Sequence, residues 1–357
     1  MNYFLLFLLF SFLLLSLLTG KIKALNSYIT VCLSVFLIFI AGLRINDSDY
    51  VAYNNIFLET PELFDFTLSS IKNIHGELGY LFISSLVKTL GGGFLLFIFI
   101  VSFISVGLTT VSFQRLSIIP LLSLLLYFSH VYLLREMIQI RAGLAVAIVL
   151  YGFSVSSKIS VHLFSVLLAS FFHSGAFIII PFYFCARWAM INFKWFIVLF
   201  LGATFFSEMG GLEKLLTVML NFGVLPTGVA NYIGWDLYDY KLPLLFNPVM
   251  WKCLLIIYLT KDIFNLKVGC RNNTLGIIRE LYVYGLLVMV AFSHIAILSG
   301  RLSTFLSFGE NILIVYGLFY NFKPAIAYII VFFICIAQMS YDLLYLDVHP
   351  TLSMLFL

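Results

Sequence analysis

SYITVCLSVFLIFIAGLRINDSDYVAY, residues 27–53, holds two kinds of chain in one stretch. From Ser27 to Leu43 there is no charge, and a helix of that length rises about 25 Å at about 1.5 Å per residue. That approaches the roughly 30 Å hydrocarbon core of a bilayer. Arg44, Asp47 and Asp49 then arrive together, with Tyr50 and Tyr53 close behind. An uncharged helix that ends in a cluster of ionisable and aromatic residues reads as a membrane span meeting its aqueous edge.

The rest of the chain agrees. Of 357 residues, 62% are hydrophobic and 10% charged, against about 25% charged in a soluble domain. The apolar runs are long and continuous, without the period-2 alternation of a membrane barrel, so the spans are helical. The expected fold is therefore all-α: one polytopic helix bundle over residues 1–357. A formal net charge of +4 fits basic loops on one side of a membrane better than a nucleic-acid partner. Cys32, Cys185, Cys253, Cys270 and Cys335 form no CxxC pair and no zinc spacing; they read as small apolar fillers. Residues 2–19 lack the basic start and small-residue cleavage site of a signal peptide and are taken as the first span.

About twelve candidate spans follow at the length a bilayer demands: 2–19, 27–43, 94–113, 116–134, 142–157, 159–172, 174–186, 194–210, 245–260, 278–299, 302–321 and 325–341. Lys21, Lys23, Arg115, Lys158, Arg187, Lys194, Lys261, Lys267, Arg271 and Lys323 all fall on one side if residues 77–90 do not cross, and that side is cytoplasmic by the positive-inside rule. ELGYLFISSLVKTL (77–90) places apolar residues at 81, 82, 83, 86, 87 and 90, the stripe of an interfacial or re-entrant amphipathic helix, the plainer reading being a short ordinary span. Both termini then face outward. Two long segments, 44–93 and 211–244, lie on the outer face, and their aromatic and apolar content argues against disorder.

This topology leaves Arg44, Arg135, Arg141 and Arg301 at outward span ends, against the positive-inside bias. Each can pair with an acid (Asp47, Glu136, Glu310) and merely steady the bundle. Together they suit an anion, because the guanidinium fork matches phosphate oxygens. Asn46, Asp47, Ser48 and Asp49 supply helix caps, and a helix from Ser48 places Asp49, Tyr50 and Tyr53 on neighbouring positions. Carboxylates beside tyrosines suit sugar rings; the plainer reading is an aromatic belt with an acidic cap. In LLREMIQIRAGLA (133–145), Arg135 and Gln139 share a helical face. Arg141 points about 120° away from Arg135 on an unbroken helix, so both reach one ligand only if the chain breaks between them. SFFHSGAF (170–177) puts His173 at another outward end, as a structural residue or as a base or phosphate partner. No HExxH, GxSxG or Walker pattern is present, and neither a metal nor a cofactor is expected.

These residues carry a resemblance. The chain resembles the Wzy-type polysaccharide polymerases, and its pattern is closest to their EpsG-like branch. The matching pieces are Arg44, Asn46, Asp47, Asp49, Tyr50 and Tyr53; then Glu77, Gly79 and Tyr80; then Gln139, Ile140 and Arg141 with Gly143-Leu144-Ala145; then Phe172-His173-Ser174; then Gly300-Arg301. A departure is Ala142, where the family often has Gln. The resemblance implies metal-independent polymerisation of undecaprenyl-pyrophosphate-linked oligosaccharide repeat units at the outer face of the bacterial inner membrane. The growing glycan leaves one lipid and joins the non-reducing-end sugar of the next. Implied site residues are Arg141, Arg135, Arg301 and Arg44 for pyrophosphate, and Tyr50, Tyr53, Tyr80 and Gln139 for the sugars. Asp47, Asp49, Glu77 and His173 are the candidate catalytic groups. Donor and acceptor lipids, membrane lipids, a chain-length regulator and a flippase are the implied partners. The alternatives are an O-antigen-ligase-like transferase, which shares the same arginine logic, and a lipid-linked oligosaccharide flippase. A flippase would need ionisable groups deep in the spans, and here only Lys252 and Arg279 approach that.

Overall fold

The computed structural model describes residues 2–45, 49–188, 190–222, 242–262 and 269–345. Among them the chain is helical, without strands: α1 (Asn2–Thr19), α2 (Lys23–Gly42), α3 (Tyr50–Glu59), α4 (Leu68–Ile71), α5 (Leu78–Thr89), α6 (Phe94–Leu116), α7 (Pro120–Leu126), α8 (Ile140–Val155), α9 (Ile159–Ser170), α10 (Ile179–Trp188), α11 (Phe193–Glu208), α12 (Gly211–Asn221), α13 (Pro248–Leu259), α14 (Gly269–Ala291), α15 (Ala296–Leu306), α16 (Glu310–Asn321) and α17 (Pro324–Tyr345). A π-helical segment, Tyr127–Glu136, continues α7. Four helices are long and apolar enough to cross a membrane: Lys23–Gly42, Phe94–Leu116, Thr274–Ala291 and Pro324–Leu344. A fifth crossing is counted if α15 and α16, bent by 65° at their junction, form one span. The remaining apolar helices are shorter, as a locally thinned bilayer or a re-entrant path would require.

The chain forms two compact units. The first comprises residues 1–177 and 314–357. Its centre is α6, packed between α2 and α8. The contact side of α6 carries buried Ser102, Ser105, Thr109, Thr110 and Ser112, small residues that let apolar helices approach closely. Thr110 Oγ1 donates to Ser34 Oγ of α2 at 2.7 Å. Buried Asn26 ties three elements together. Its amide nitrogen donates to Thr19 Oγ1 (3.1 Å), and its oxygen accepts from the Leu121 N–H (3.2 Å) just after Pro120 opens α7. The last helix, α17, returns to this unit: Tyr328 OH donates to the Ser16 carbonyl of α1 at 3.0 Å.

Between α2 and α6 the helix expected over 77–90 is present as α5, with a revised face. Tyr80, Leu81, Ser84, Ser85 and Val87 are buried, while Leu78, Phe82, Leu86 and Leu90 are exposed. The expected stripe splits because two serines pack inward against the protein. The exposed set recurs every four residues, a second apolar stripe left exposed among the described residues. Lys88 fastens α5 to α3 by donating to the Leu58 and Thr60 carbonyls at 2.7 and 2.5 Å, the basic cap that a helix C-terminus favours.

The second unit comprises residues 178–313. On α14, Arg279 and Glu280 are buried and paired, and together they clasp one backbone position. Arg279 Nη1 donates to the Ile191 carbonyl (2.9 Å), and the Ile191 N–H donates to Glu280 Oε2 (2.9 Å). Lys252 Nζ meets Glu310 Oε1 at 2.6 Å, and Tyr282 OH donates to Glu310 Oε2 at 3.0 Å. These contacts pair Lys252 and Arg279, the two ionisable groups the sequence places nearest the interior of its spans. The span boundary expected at Gly300 is displaced. Gly300 and Arg301 lie inside α15, and the chain turns instead at Phe292–Ile295 and Ser307–Gly309. Gly309 is required there: a side chain on it would strike Ile278 of α14. Gly300 has open space around it and simply continues the helix.

Candidate functional site

Arg141 stands where the chain breaks. The π ladder runs from residue i to i+5 and ends with the Met137 N–H on the Tyr132 carbonyl (3.3 Å) and the Gln139 N–H on the Leu134 carbonyl (3.0 Å). Gln139, with ψ 58°, then caps α8. Arg135 and Gln139 therefore do not share an α-helical face, as uniform helix would have had it. The expected break between Arg135 and Arg141 is present, and it puts Arg141 in the first turn of α8, where exposed amides and the helix dipole already favour an anion. Gly143 makes the junction tight. A Cβ there would sit 3.0 Å from Glu136 Oε1 and 3.2 Å from the Arg135 carbonyl oxygen.

The guanidinium of Arg141 is held from two sides. Nη1 donates to Glu77 Oε2 at 2.7 Å, and the ring faces of Tyr53 and Tyr80 lie 5.6 and 5.9 Å from Cζ. The two rings pack on each other at 5.9 Å. Cation–π contact fixes the plane of the guanidinium, and the carboxylate fixes its direction. Glu77, the residue before α5, also accepts from the Ser174 N–H at 3.3 Å. Gly79 brings α5 against the end of α9: its N–H donates to the Phe171 carbonyl at 2.7 Å, and a Cβ there would lie 2.9 Å from that oxygen. Burial, opposed by the charge of Arg141, raises the Tyr53 hydroxyl above its ordinary value. Burial and then the neighbouring Tyr53 raise Tyr80 further. Both phenols stay neutral donors. The buried Tyr80 hydroxyl and Arg141 Nε have no hydrogen-bond partner among the described residues. Two buried donors left over beside a fixed cation are what an oxyanion or a hydroxylated ligand would satisfy.

The other expected residues fall as follows. Arg44, just past α2, is buried and donates to the Ala41 carbonyl at 2.7 Å. Arg135 is buried at the end of the π segment, and Glu136 beside it lies in the fields of both Arg44 and Arg135. Glu136 also accepts from Ser105 (2.7 Å) and Tyr127 (2.8 Å). Asp49 occupies the N-cap of α3 without a capping bond from its side chain, and its charge acts on Tyr53. Tyr50 packs edge-on against Phe94 at 5.0 Å. His173 Nδ1 accepts from the Gly175 N–H at 3.0 Å, which places the ring proton on Nε2 and makes His173 a donor. Arg301 lies within α15 in the second unit, not at a helix end, and is exposed. Asp47 and residues 223–241 of the long 211–244 segment lie outside the described residues. Among the described residues no three His, Cys, Asp or Glu side chains group as metal ligands.

Two neighbours escaped the sequence reading. His130, in the π segment, meets Asp342 of α17 through Nδ1 at 2.8 and 2.9 Å, and Ser129 donates to Gln338 Oε1 at 3.1 Å. Separations beyond 200 residues hide such pairs; only the polar Gln338 and Asp342 inside an otherwise apolar run gave a signal.

A family model described as the EpsG family matches residues 27–355. The chain belongs to the EpsG family. The matched range takes in every site residue above, and the family agrees with the EpsG-like resemblance. No curated protein and no solved structure matches the chain.

Proposed function

We propose that the chain is a repeat-unit polymerase: a metal-independent membrane glycosyltransferase that joins undecaprenyl-pyrophosphate-linked oligosaccharides at the outer face of the bacterial inner membrane. EpsG membership is consistent with this role. The observation that carries it is Arg141, a cation oriented by Glu77 and two tyrosine faces at a helix N-terminus, with a spare buried donor on each of Arg141 and Tyr80. In this reading Arg141 binds the donor pyrophosphate, and Arg44 and Arg135 add positive potential. Tyr53, Tyr80, Tyr50 and Gln139 contact sugars, with Asp47 and Asp49 at the acceptor end. As the anomeric C–O bond breaks, negative charge grows on the leaving pyrophosphate, and a preorganised guanidinium stabilises that charge more than the ground state. The short apolar helices bring the crossings to about twelve, in bilayer thinned around the site. Lys21 and Lys23 lie in the cytoplasm, Arg44 outside, and a chain-length regulator and a flippase work alongside.

The test is polymer length on a gel from cells carrying Arg141→Ala, with membrane abundance measured alongside. Loss of one such donor is expected to cost about 10²–10³ in rate. Arg141→Lys keeps charge but loses the fork, and is expected to recover only part. Normal-length polymer from Arg141→Ala at normal abundance refutes the role.

A further inference from the structure

Resting on the polymerase reading, we propose that His130, held by Asp342, is the general base that takes the proton from the acceptor hydroxyl. The observation is a contact: the fully buried carboxylate of Asp342 faces His130 Nδ1 at 2.8 and 2.9 Å, and a carboxylate only accepts, so a neutral imidazole there carries its proton on Nδ1. That leaves Nε2 with its lone pair, the arrangement by which a buried carboxylate prepares an imidazole to accept a proton. His173 is wired in the opposite sense, with Nδ1 accepting from Gly175.

Placement supports the assignment. From Leu121 to Leu150 nearly every residue is buried, and the partly exposed ones are His130, Val131, Leu134, Ile138, Gln139, Arg141 and Val146. Six of those seven fall between His130 and Arg141, a strip of sequence with repeated partial exposure through the π segment and the first turn of α8. The i to i+5 ladder stacks Arg135 one π turn beyond His130. The His130 side chain is 18% exposed, whereas that of Asp342 is 0% exposed: the base is accessible and its carboxylate is not. Gln338, one turn before Asp342 on the same face of α17, is buried, and its Nε2 has no partner among the described residues. A donor left over beside the base suits a sugar oxygen.

The step balances without a further reactant. The hydroxyl of the non-reducing-end sugar gives its proton to His130 Nε2 as its oxygen bonds to the anomeric carbon of the donor glycan. The anomeric bond to pyrophosphate breaks, and its electron pair leaves with undecaprenyl pyrophosphate. His130 then releases the proton to water. Asp342 is a positioning residue here, since it touches the base and not the substrate.

The experiment uses the full chain in two assays. One is polymer length in producing cells; the other is binding of sugar-free undecaprenyl pyrophosphate to protein in phosphatidylethanolamine–phosphatidylglycerol nanodiscs. His130→Gln is expected to bind the lipid as wild type does and to lose about 10²–10⁴ in polymerisation, the range for a general base. His130→Ala is expected to regain polymer when imidazole is added, which a purely structural histidine would not do. Asp342→Asn is expected to lose polymer with binding intact and without imidazole rescue. Normal polymer from His130→Gln overturns the proposal while leaving the polymerase reading standing. Loss of both lipid binding and polymer in His130→Gln, with no imidazole rescue of His130→Ala, assigns the pair to fastening α17 and overturns it as well. A wild-type chain that neither binds the lipid nor makes polymer removes the polymerase reading itself.

Discussion

Glu77→Gln separates two roles that one carboxylate can play. Glu77 Oε2 receives Arg141 Nη1 at 2.7 Å, and Oε1 receives the Ser174 N–H at 3.3 Å. Glutamine keeps the shape and one acceptor, so what is lost is the ionic part of the Arg141 contact together with the long, weak bond from the Ser174 N–H. The two side chains are 18% and 20% exposed. That places the pair between surface ion pairs, worth about 0–1 kcal/mol, and buried ones, where removing a partner costs about 3–5 kcal/mol. A loss of about 1–2 kcal/mol corresponds to a factor of about 5–30 in the population holding the guanidinium in place. If Glu77 acts only by orienting Arg141, polymerisation falls by that factor. The double variant Glu77→Gln/Arg141→Ala should then be no slower than Arg141→Ala alone, because interacting residues are not additive. Initial rates of polymer formation from the four chains, normalised to membrane abundance, decide it. A Glu77→Gln defect as deep as that of Arg141→Ala, or one that adds to it, refutes the orienting role and makes Glu77 a group that touches substrate.

Three further outcomes follow from the geometry. Tyr53→Phe keeps the ring face over Arg141 but removes the hydroxyl that hydrogen-bonds it and should slow polymer formation less than Tyr53→Leu, which also removes a cation–π contact of about 0.5–2 kcal/mol and should cost several-fold in the same assay. Gly143→Val should destabilise the junction by about 1–3 kcal/mol through overpacking, read as a lower melting temperature of the purified chain, with Gly143→Ala milder. In a cysteine-free background, Lys23→Cys should resist a membrane-impermeant thiol reagent added outside and Val51→Cys should react with it; the reverse pattern inverts the topology.

The helical class was legible because composition alone excludes a soluble fold. So was the break before Arg141, where Arg135 and Glu136 interrupt apolar residues and two spans had to be separated. The π geometry of Tyr127–Glu136 was not, since apolar residues on every side leave no period from which to tell i+4 from i+5 bonding. The partner of Arg141 was also hidden: Glu136 is close in sequence, but it is occupied by Ser105 and Tyr127, and the chain supplies Glu77 from 64 positions away. At Gly300 the sequence misled, because glycine marks a turn only where the surroundings demand one. Glu77, Tyr53 and Tyr80 converged on Arg141 as a set within the first unit; Arg301 belongs to the second.

The return of α17 to the first unit has a consequence for biogenesis. Its contacts join Tyr328 to Ser16 across 312 positions and Asp342 to His130 across 212. A chain emerging from the ribosome holds α1 to α9 and the whole second unit before either contact can form. Loop closure over that distance is slow to be repaid, so Ser129 and His130 wait through the synthesis of 209 and 212 further residues before their partners on α17 exist. The last helix to enter the membrane is thus the one that completes the first unit, and a nascent or truncated chain exposes its own incompleteness to quality control at that spot.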